Sequence, residues 1–149
     1  MRYYILFSIF LCVLFFGCKK LKINSVPAVK YKSANTTELH QGETLIMNIE
    51  FSDKEADFTD TSFVVVKTVQ KTANPCFDPP GSTSGFVQPY PLGIPSGIKE
   101  GTIVVTYGYN DISPKCTNVN DTTIFKFVLK DAAGHVSDTA TSEQIIIYR

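Results

Sequence analysis

This chain carries few residues that could do chemistry. It holds two histidines in 149 residues, and nucleophilic catalysis needs a base beside a serine or cysteine. Neither histidine stands in a supporting motif. His40 lies in Glu38-Leu39-His40-Gln41-Gly42, which reads as a turn ahead of a strand, and His135 lies in a hairpin, so both are expected to be solvated. An enzyme is therefore not expected. The chain also lacks an excess of either charge: 14 basic residues stand against 14 acidic ones. That balance leaves no field to recruit nucleic acid or to hold the fold against an anionic surface. No segment shows the apolar period of an amphipathic helix, and there is no internal repeat.

The amino terminus indicates a compartment. Arg2 precedes an apolar run from Tyr3 to Phe16 that ends in Gly17-Cys18, the arrangement of an export leader and too short for a permanent membrane anchor. Leu14-Phe15-Phe16-Gly17-Cys18 resembles the lipobox of bacterial lipoproteins. That resemblance implies cleavage before Cys18 and a diacylglycerol on its thiol. Residues 1–17 are then the leader, 18–25 a short basic tether, and 26–149 one domain. Of four cysteines, Cys12 leaves with the leader and Cys18 is acylated. Cys76 and Cys116 remain, and in an oxidising compartment a disulfide is the expected state. Neither has the nearby second Cys or His that a zinc site requires.

From Val26 onward the chain reads as short runs rich in Val, Ile, Thr, Phe and Tyr, separated by Gly, Pro, Asn and Asp. Strands are expected at Val26 to Lys32, Thr44 to Ser52, Ser62 to Gln70, Gly101 to Tyr109, Thr122 to Lys130 and Glu143 to Tyr148. Two runs alternate clearly. Leu45, Met47, Ile49 and Phe51 should face a core while Asn48 and Glu50 face water, and Phe125, Phe127 and Leu129 should point inward opposite two lysines. Asp131 to Thr139 reads as a hairpin. The segment Thr72 to Lys99 holds six prolines and four glycines, so it is expected to be a long ordered loop or a covered edge. These signals add up to an all-β, immunoglobulin-like antiparallel sandwich of about seven strands.

Three phrases carry a family resemblance: the lipobox, Phe51-Ser52-Asp53-Lys54-Glu55-Ala56-Asp57, and Leu129-Lys130-Asp131-Ala132-Ala133-Gly134-His135-Val136-Ser137. With them the mature chain resembles the immunoglobulin-like lipoproteins of Bacteroidota. The second phrase matches their acidic Asp-x-Asp-Gly-Asp turn without its glycine, and the third matches a Lys-Asp-x-Ala-Gly-Asn-x-Ser hairpin with His135 in place of Asn. The resemblance implies no settled activity. It also makes Asp121-Thr122-Thr123 and Asp138-Thr139-Ala140 candidate O-glycosylation phrases, at Thr122 and Thr139.

The expected role is a noncatalytic binding or structural module, held on a membrane by the lipid on Cys18, with an envelope protein or a glycan as partner. An accessory subunit of an uptake or secretion complex is the alternative. Lys19 after the cysteine, and the lack of an acidic run from Lys20 to Ile23, favour the outer membrane and its periplasmic face. No cofactor is expected beyond calcium, for which Asp53, Asp57 and Asp131 in the two acidic turns are the candidate ligands, since alternating carboxylates suit a hard cation. Recognition is assigned to Phe77, Phe86 and Tyr90 in the proline-rich segment, aromatic area of the kind that anchors interfaces.

A Cys76–Cys116 disulfide should make the protein unreactive toward thiol alkylation until it is reduced. It should also add roughly 4 kcal/mol of stability in the chain-entropy view of loop closure. Free thiols in the unreduced, unfolded protein would show the pair to be open.

Overall fold

The alternation of Leu45, Met47, Ile49 and Phe51 buries these four side chains and leaves Asn48 and Glu50 on the outer face of strand β3 (Thr44–Ser52). A computed structural model describes residues 25–59, 63–71, 86–90, 94, 95, 97–112 and 120–149. Strands β1 (Ala28–Ala34) and β6 (Glu100–Gly108) flank β3 antiparallel, giving a sheet in the order β1-β3-β6. The second sheet runs β2-β9-β7-β4-β5, built from β2 (Glu38–Leu39), β4 (Phe63–Lys71), β5 (Phe86–Tyr90), β7 (Asp121–Leu129) and β9 (Ile145–Ile147). A short β8 (Ala140–Thr141) also pairs with β7.

The sheets face each other through their alternate residues, so the domain is an immunoglobulin-like β-sandwich. Phe63 and Val65 of β4 and Phe125, Phe127 and Leu129 of β7 lie fully buried against Met47, Ile49 and Val105 of the opposite sheet. Aromatic rings tie the layers together. Phe127 stacks on Phe63 at 6.0 Å and, across to the other sheet, on Tyr31 of β1 at 6.1 Å. Phe125 stacks on Tyr107 of β6 at 5.9 Å, and such offset pairs add to the area that they bury. At the end of β3, Gly101 gives the Phe51 ring room to cross β6. A Cβ there would sit 2.9 Å from the ring.

All six strands expected from the sequence are present, Thr44–Ser52 with the expected ends and the other five displaced by one or two residues, and the structure adds three short ones. β2 comes from the crossing of the first strand between sheets: after β1, Thr36 to Leu39 moves over to run parallel with β9. β5 arises inside the proline-rich segment. It lies at the sheet's outer edge, the position at which a strand tolerates a proline such as Pro89. The return after the Asp131 hairpin is broken because serine hydroxyls share the pairing with β7. Ser137 and Ser142 each donate a backbone N–H to β7, to Leu129 and Phe125, and accept the amides of those same residues on Oγ at 3.0 and 2.9 Å.

One inward-facing residue of β4 is not apolar. The Lys67 ammonium donates to the Asp121 carboxylate at 3.1 Å and to the Ile112 carbonyl of helical turn α1 (Tyr109–Ile112) at 2.9 Å. Only 6% and 3% of the two side chains are exposed. Burial pulls the Lys67 ammonium below its usual range, against the opposing attraction of Asp121. A buried pair gains little over apolar packing, but breaking it leaves an uncompensated charge. Asp121→Ala should therefore lose about 3–5 kcal/mol in urea unfolding, while the double variant Lys67→Met/Asp121→Leu should recover most of that loss.

Candidate functional site

The register of the ladders places two groups of loops at opposite ends of the sandwich. At one end Ala28, which opens β1, faces Ser52, as does Glu100, which opens β6, and in the other sheet Phe63 faces Leu129. The β3–β4 loop and the turn after β7 meet here. At the far end Thr44 faces Gly108 and Lys71 faces Thr122.

The first end is acidic. Asp53 anchors it: its amide donates to the Lys99 carbonyl at 2.7 Å, and its Oδ2 accepts the amide of Ala56 at 2.7 Å. That second bond closes a tight turn in which Ala56 takes φ 55°, the left-handed conformation that only glycine adopts without cost. The turn is stitched to the hairpin after β7 by the Ala132 amide, which donates to the Asp57 carbonyl at 3.0 Å. Phe58 then packs edge-on against Phe51 at 5.5 Å, closing the loop over the core.

Asp131 is occupied locally. Its Oδ1 accepts the His135 amide at 2.7 Å and its Oδ2 meets His135 Nδ1 at 2.6 Å. The amides of Gly134, at φ 94°, and Asp131 complete the turn through the Asp131 and His135 carbonyls. Burial would raise the Asp131 carboxyl, but hydrogen bonds from the His135 ring and amide, its charge and the Gly134 amide outweigh that and hold it below the usual carboxylate range. The His135 imidazole is raised by the hydrogen bond and the charge of Asp131, with smaller help from Glu55 and Asp57. His135 is thus half solvated, with 51% of its side chain exposed, and also tethered.

Asp53 is in the opposite condition. Burial raises its carboxyl, the Ala56 amide partly opposes this, and the charges of Asp57, Glu55 and Asp131 raise it further. Asp53 Oδ1 and Asp57 Oδ1 are buried without a hydrogen-bond partner, and so is Ser52 Oγ. The three carboxylates singled out from the sequence therefore do gather at one end, but in different states: Asp131 is bonded to His135, while Asp53 and Asp57 each keep a free oxygen. Among the described residues no three His, Cys, Asp or Glu side chains are grouped as metal ligands.

The other expected site residues are spread out. Phe86 and Tyr90 are the first and last residues of β5, opposite Lys67 and Phe63 in the register. Their backbones therefore lie about 13 Å apart along the strand. Phe77, Cys18, Cys76 and Cys116 lie outside the described residues. Segments 72–85 and 113–119, which hold the last two cysteines, both leave from the Lys71–Thr122 end. His40 is at that far end, stacked on Tyr148 at 4.6 Å. Thr139 is exposed in the hairpin return, and Thr122 lies within β7. Sequence reading missed the Asp131–His135 pair, whose signal was the spacing of an aspartate and a histidine across a glycine turn. It also missed the Lys67–Asp121 pair, because nothing in a β-type run marks an inward lysine.

The tethered imidazole gives a titration test. Because the folded pKa of His135 is raised, its stabilising effect is fully present below the unfolded value near 6.5 and fades as pH rises through the folded value. The Asp131 share, with its lowered pKa, is lost only in acid. Proton NMR should find His135 titrating above the free-histidine range, and Asp131→Asn should return it toward that range. An unshifted His135 in the wild type would mean that the pair does not form in solution.

Compared with known proteins, the chain matches no family model and no curated protein sequence. Among solved structures it is similar to the PKD domain of an M14-like peptidase from Thermoplasmatales archaeon SCGC AB-540-F20. The identity is 12% and the TM-score 0.45, over 83% of this chain and 94% of that one. A likeness so distant carries no argument about function, and the assignment as an immunoglobulin-like sandwich rests on the strand order and facing sheets described above.

Proposed function

We propose that this protein is a membrane-anchored envelope lipoprotein whose sandwich is a noncatalytic module that presents one end to a protein or glycan partner. The observation that carries the reading is the polarity of the fold. The described chain enters at the acidic end, where Ala28 pairs with Ser52. The connection from β4 to β5 opens at the far end, between Lys71 and Phe86. With a lipid on Cys18 and a tether of residues 18–25, the acidic end stands toward the bilayer and the end at which Lys71 pairs with Thr122 stands away from it. Loops held at the free end of a rigid sandwich are the usual place for recognition.

Two further observations support a noncatalytic role. His40 is stacked on Tyr148 and His135 is bound to Asp131, at opposite ends of the domain, so they cannot act on one substrate. Among the described residues neither imidazole is hydrogen-bonded to a serine, threonine or cysteine, the contact that activates a nucleophile. On this reading the lipid faces the periplasm from the outer membrane.

Metabolic labelling tests the anchor and the presenting end together. Wild-type protein should take up labelled palmitate and sediment with membranes, and Cys18→Ser should do neither. The triple variant Phe77→Ala/Phe86→Ala/Tyr90→Ala should stay labelled but lose partners captured by crosslinking in cells. Palmitate retained in Cys18→Ser would overturn the anchor, and unchanged crosslinking in the triple variant would move recognition off this segment.

A further inference from the structure

We propose that the end of the sandwich nearest the tether seats directly on the lipid surface, with Val26, Ile98 and Val136 entering the boundary between headgroups and acyl chains. The inference rests on the lipid anchor proposed above and adds an orientation to it: the domain stands end-on on the bilayer instead of swinging on its leash.

The first observation is where apolar surface is left uncovered. Five large apolar side chains are exposed among the described residues, and three of them lie at this end: Val26 at 50%, Ile98 at 43% and Val136 at 52%. Val26 precedes Ala28 by two residues and Ile98 precedes Glu100 by two, and Ala28 and Glu100 both face Ser52 in the register. Val136 bridges Lys130, the residue after β7, next to the rung of Phe63 and Leu129. The three thus come from the two outer strands of the first sheet and from the hairpin of the second. A single exposed valine is ordinary on a protein surface. Three placed around one end support a flat contact, which needs points in a plane rather than side chains that converge. The other two, Ile46 and Val104, lie on the outer face of the first sheet.

The second observation is that the backbone imposes these positions. The Ile98 amide donates to the Pro95 carbonyl at 3.4 Å across Gly97, which takes φ 87°, and the next carbonyl, that of Lys99, accepts the Asp53 amide at 2.7 Å. Val136 follows the Asp131–His135 clasp and precedes the buried Ser137, so alternation turns it outward. Pro27, between Val26 and β1, is buried and fixes the angle at which the chain enters the fold.

The third observation concerns charge and reach. Exposed Lys99 is the neighbour of Ile98, exposed Lys130 is the bridge partner of Val136, and exposed Lys54 stands in the β3–β4 turn. An aliphatic tip beside an ammonium suits the membrane interface, where the tip enters the acyl boundary and the ammonium reaches lipid phosphates. Asp53 and Asp131 are buried beneath this surface, away from the headgroups. A tether from Cys18 to Ser25 extends at most about 25 Å, whereas β3 alone, with nine residues, is roughly 30 Å long. The tether is therefore too short for the domain to stand on its far end. It also makes the contact intramolecular, so three half-exposed side chains can hold a domain that would not bind from free solution.

The chain contains no tryptophan, so a single introduced one reports its own surroundings. Lipidated protein purified from cells is reconstituted into vesicles of phosphatidylethanolamine and phosphatidylglycerol in three variants, Ile98→Trp, Val136→Trp and Val104→Trp. The tryptophans at 98 and 136 should emit further to the blue, be quenched by brominated acyl chains, and be several-fold less accessible to aqueous acrylamide than the one at 104. In Val26→Ser/Ile98→Ser/Val136→Trp the blue shift should be lost. Protein that floats with the vesicles while all three tryptophans stay equally open to acrylamide would overturn the seat and leave the anchor standing. A shift at 104 in place of 98 and 136 would lay the domain on its side and overturn it as well. A shift that survives the two serines would mean that the tryptophan itself had inserted, and that the natural end does not. Protein that carries no lipid and fails to float would remove the anchor, and the seat with it.

Discussion

The two sheets are joined through the aromatic rings of β7. Phe127, in β7, has no exposed surface and is stacked on Phe63 within its own sheet and on Tyr31 of the facing one. Because side chains alternate along a strand, placing Phe127 inward also sends Phe125 and Leu129 inward, and Lys126 and Val128 outward. A one-residue slip of β7 would reverse all of them and bring a lysine into the core, so the register of the central strand is strongly determined. Its neighbours β4 and β9 take their register from it, and the hairpin that ends in Ser137 and Ser142 closes back onto it.

That dependence explains what could be read in the residues alone. The alternating runs of β3 and β7 predicted their own inward faces, because a half-buried strand writes its burial into every second residue. β2, β5 and β8 carry no such record. Two of them are two residues long, and β5 is an edge strand inside a proline-rich stretch, so neither length nor alternation distinguishes them from loop. The acidic end was legible as composition, since aspartates before a turn are visible in any reading. Their division of labour was not, because it depends on which carboxylate the Gly134 turn brings within reach of His135. Lys67 shows the same limit: its inward position follows the parity set by Phe63 and Val65, yet its charge argues for the surface until Asp121 is found 54 residues away.

The ends of the domain are also electrostatically unlike. At one, an ammonium and a carboxylate neutralise each other inside the protein beside a helical turn. At the other, carboxylates outnumber the groups that could neutralise them. The first arrangement pairs its charges, although Asp121 Oδ1 stays buried without a partner, whereas at the second Asp53 and Asp57 keep unpartnered oxygens with no paired ammonium.

The parallel pairing of β2 with β9 has a mechanical consequence. Glu38 and Leu39 lie beside Ile146 and Ile147, and the Tyr148 and Ile146 amides donate to the Leu39 and Thr37 carbonyls at 2.8 Å. When two parallel strands are pulled, one by the chain before it and the other by the chain after it, the bonds between them slide against one another and must break together rather than peel in turn. A domain pulled between its amino-terminal side and the chain that follows β9 is loaded in that direction. This small crossing strand would then act as a shear clasp, resisting extension at the point where the first and last segments of the fold meet.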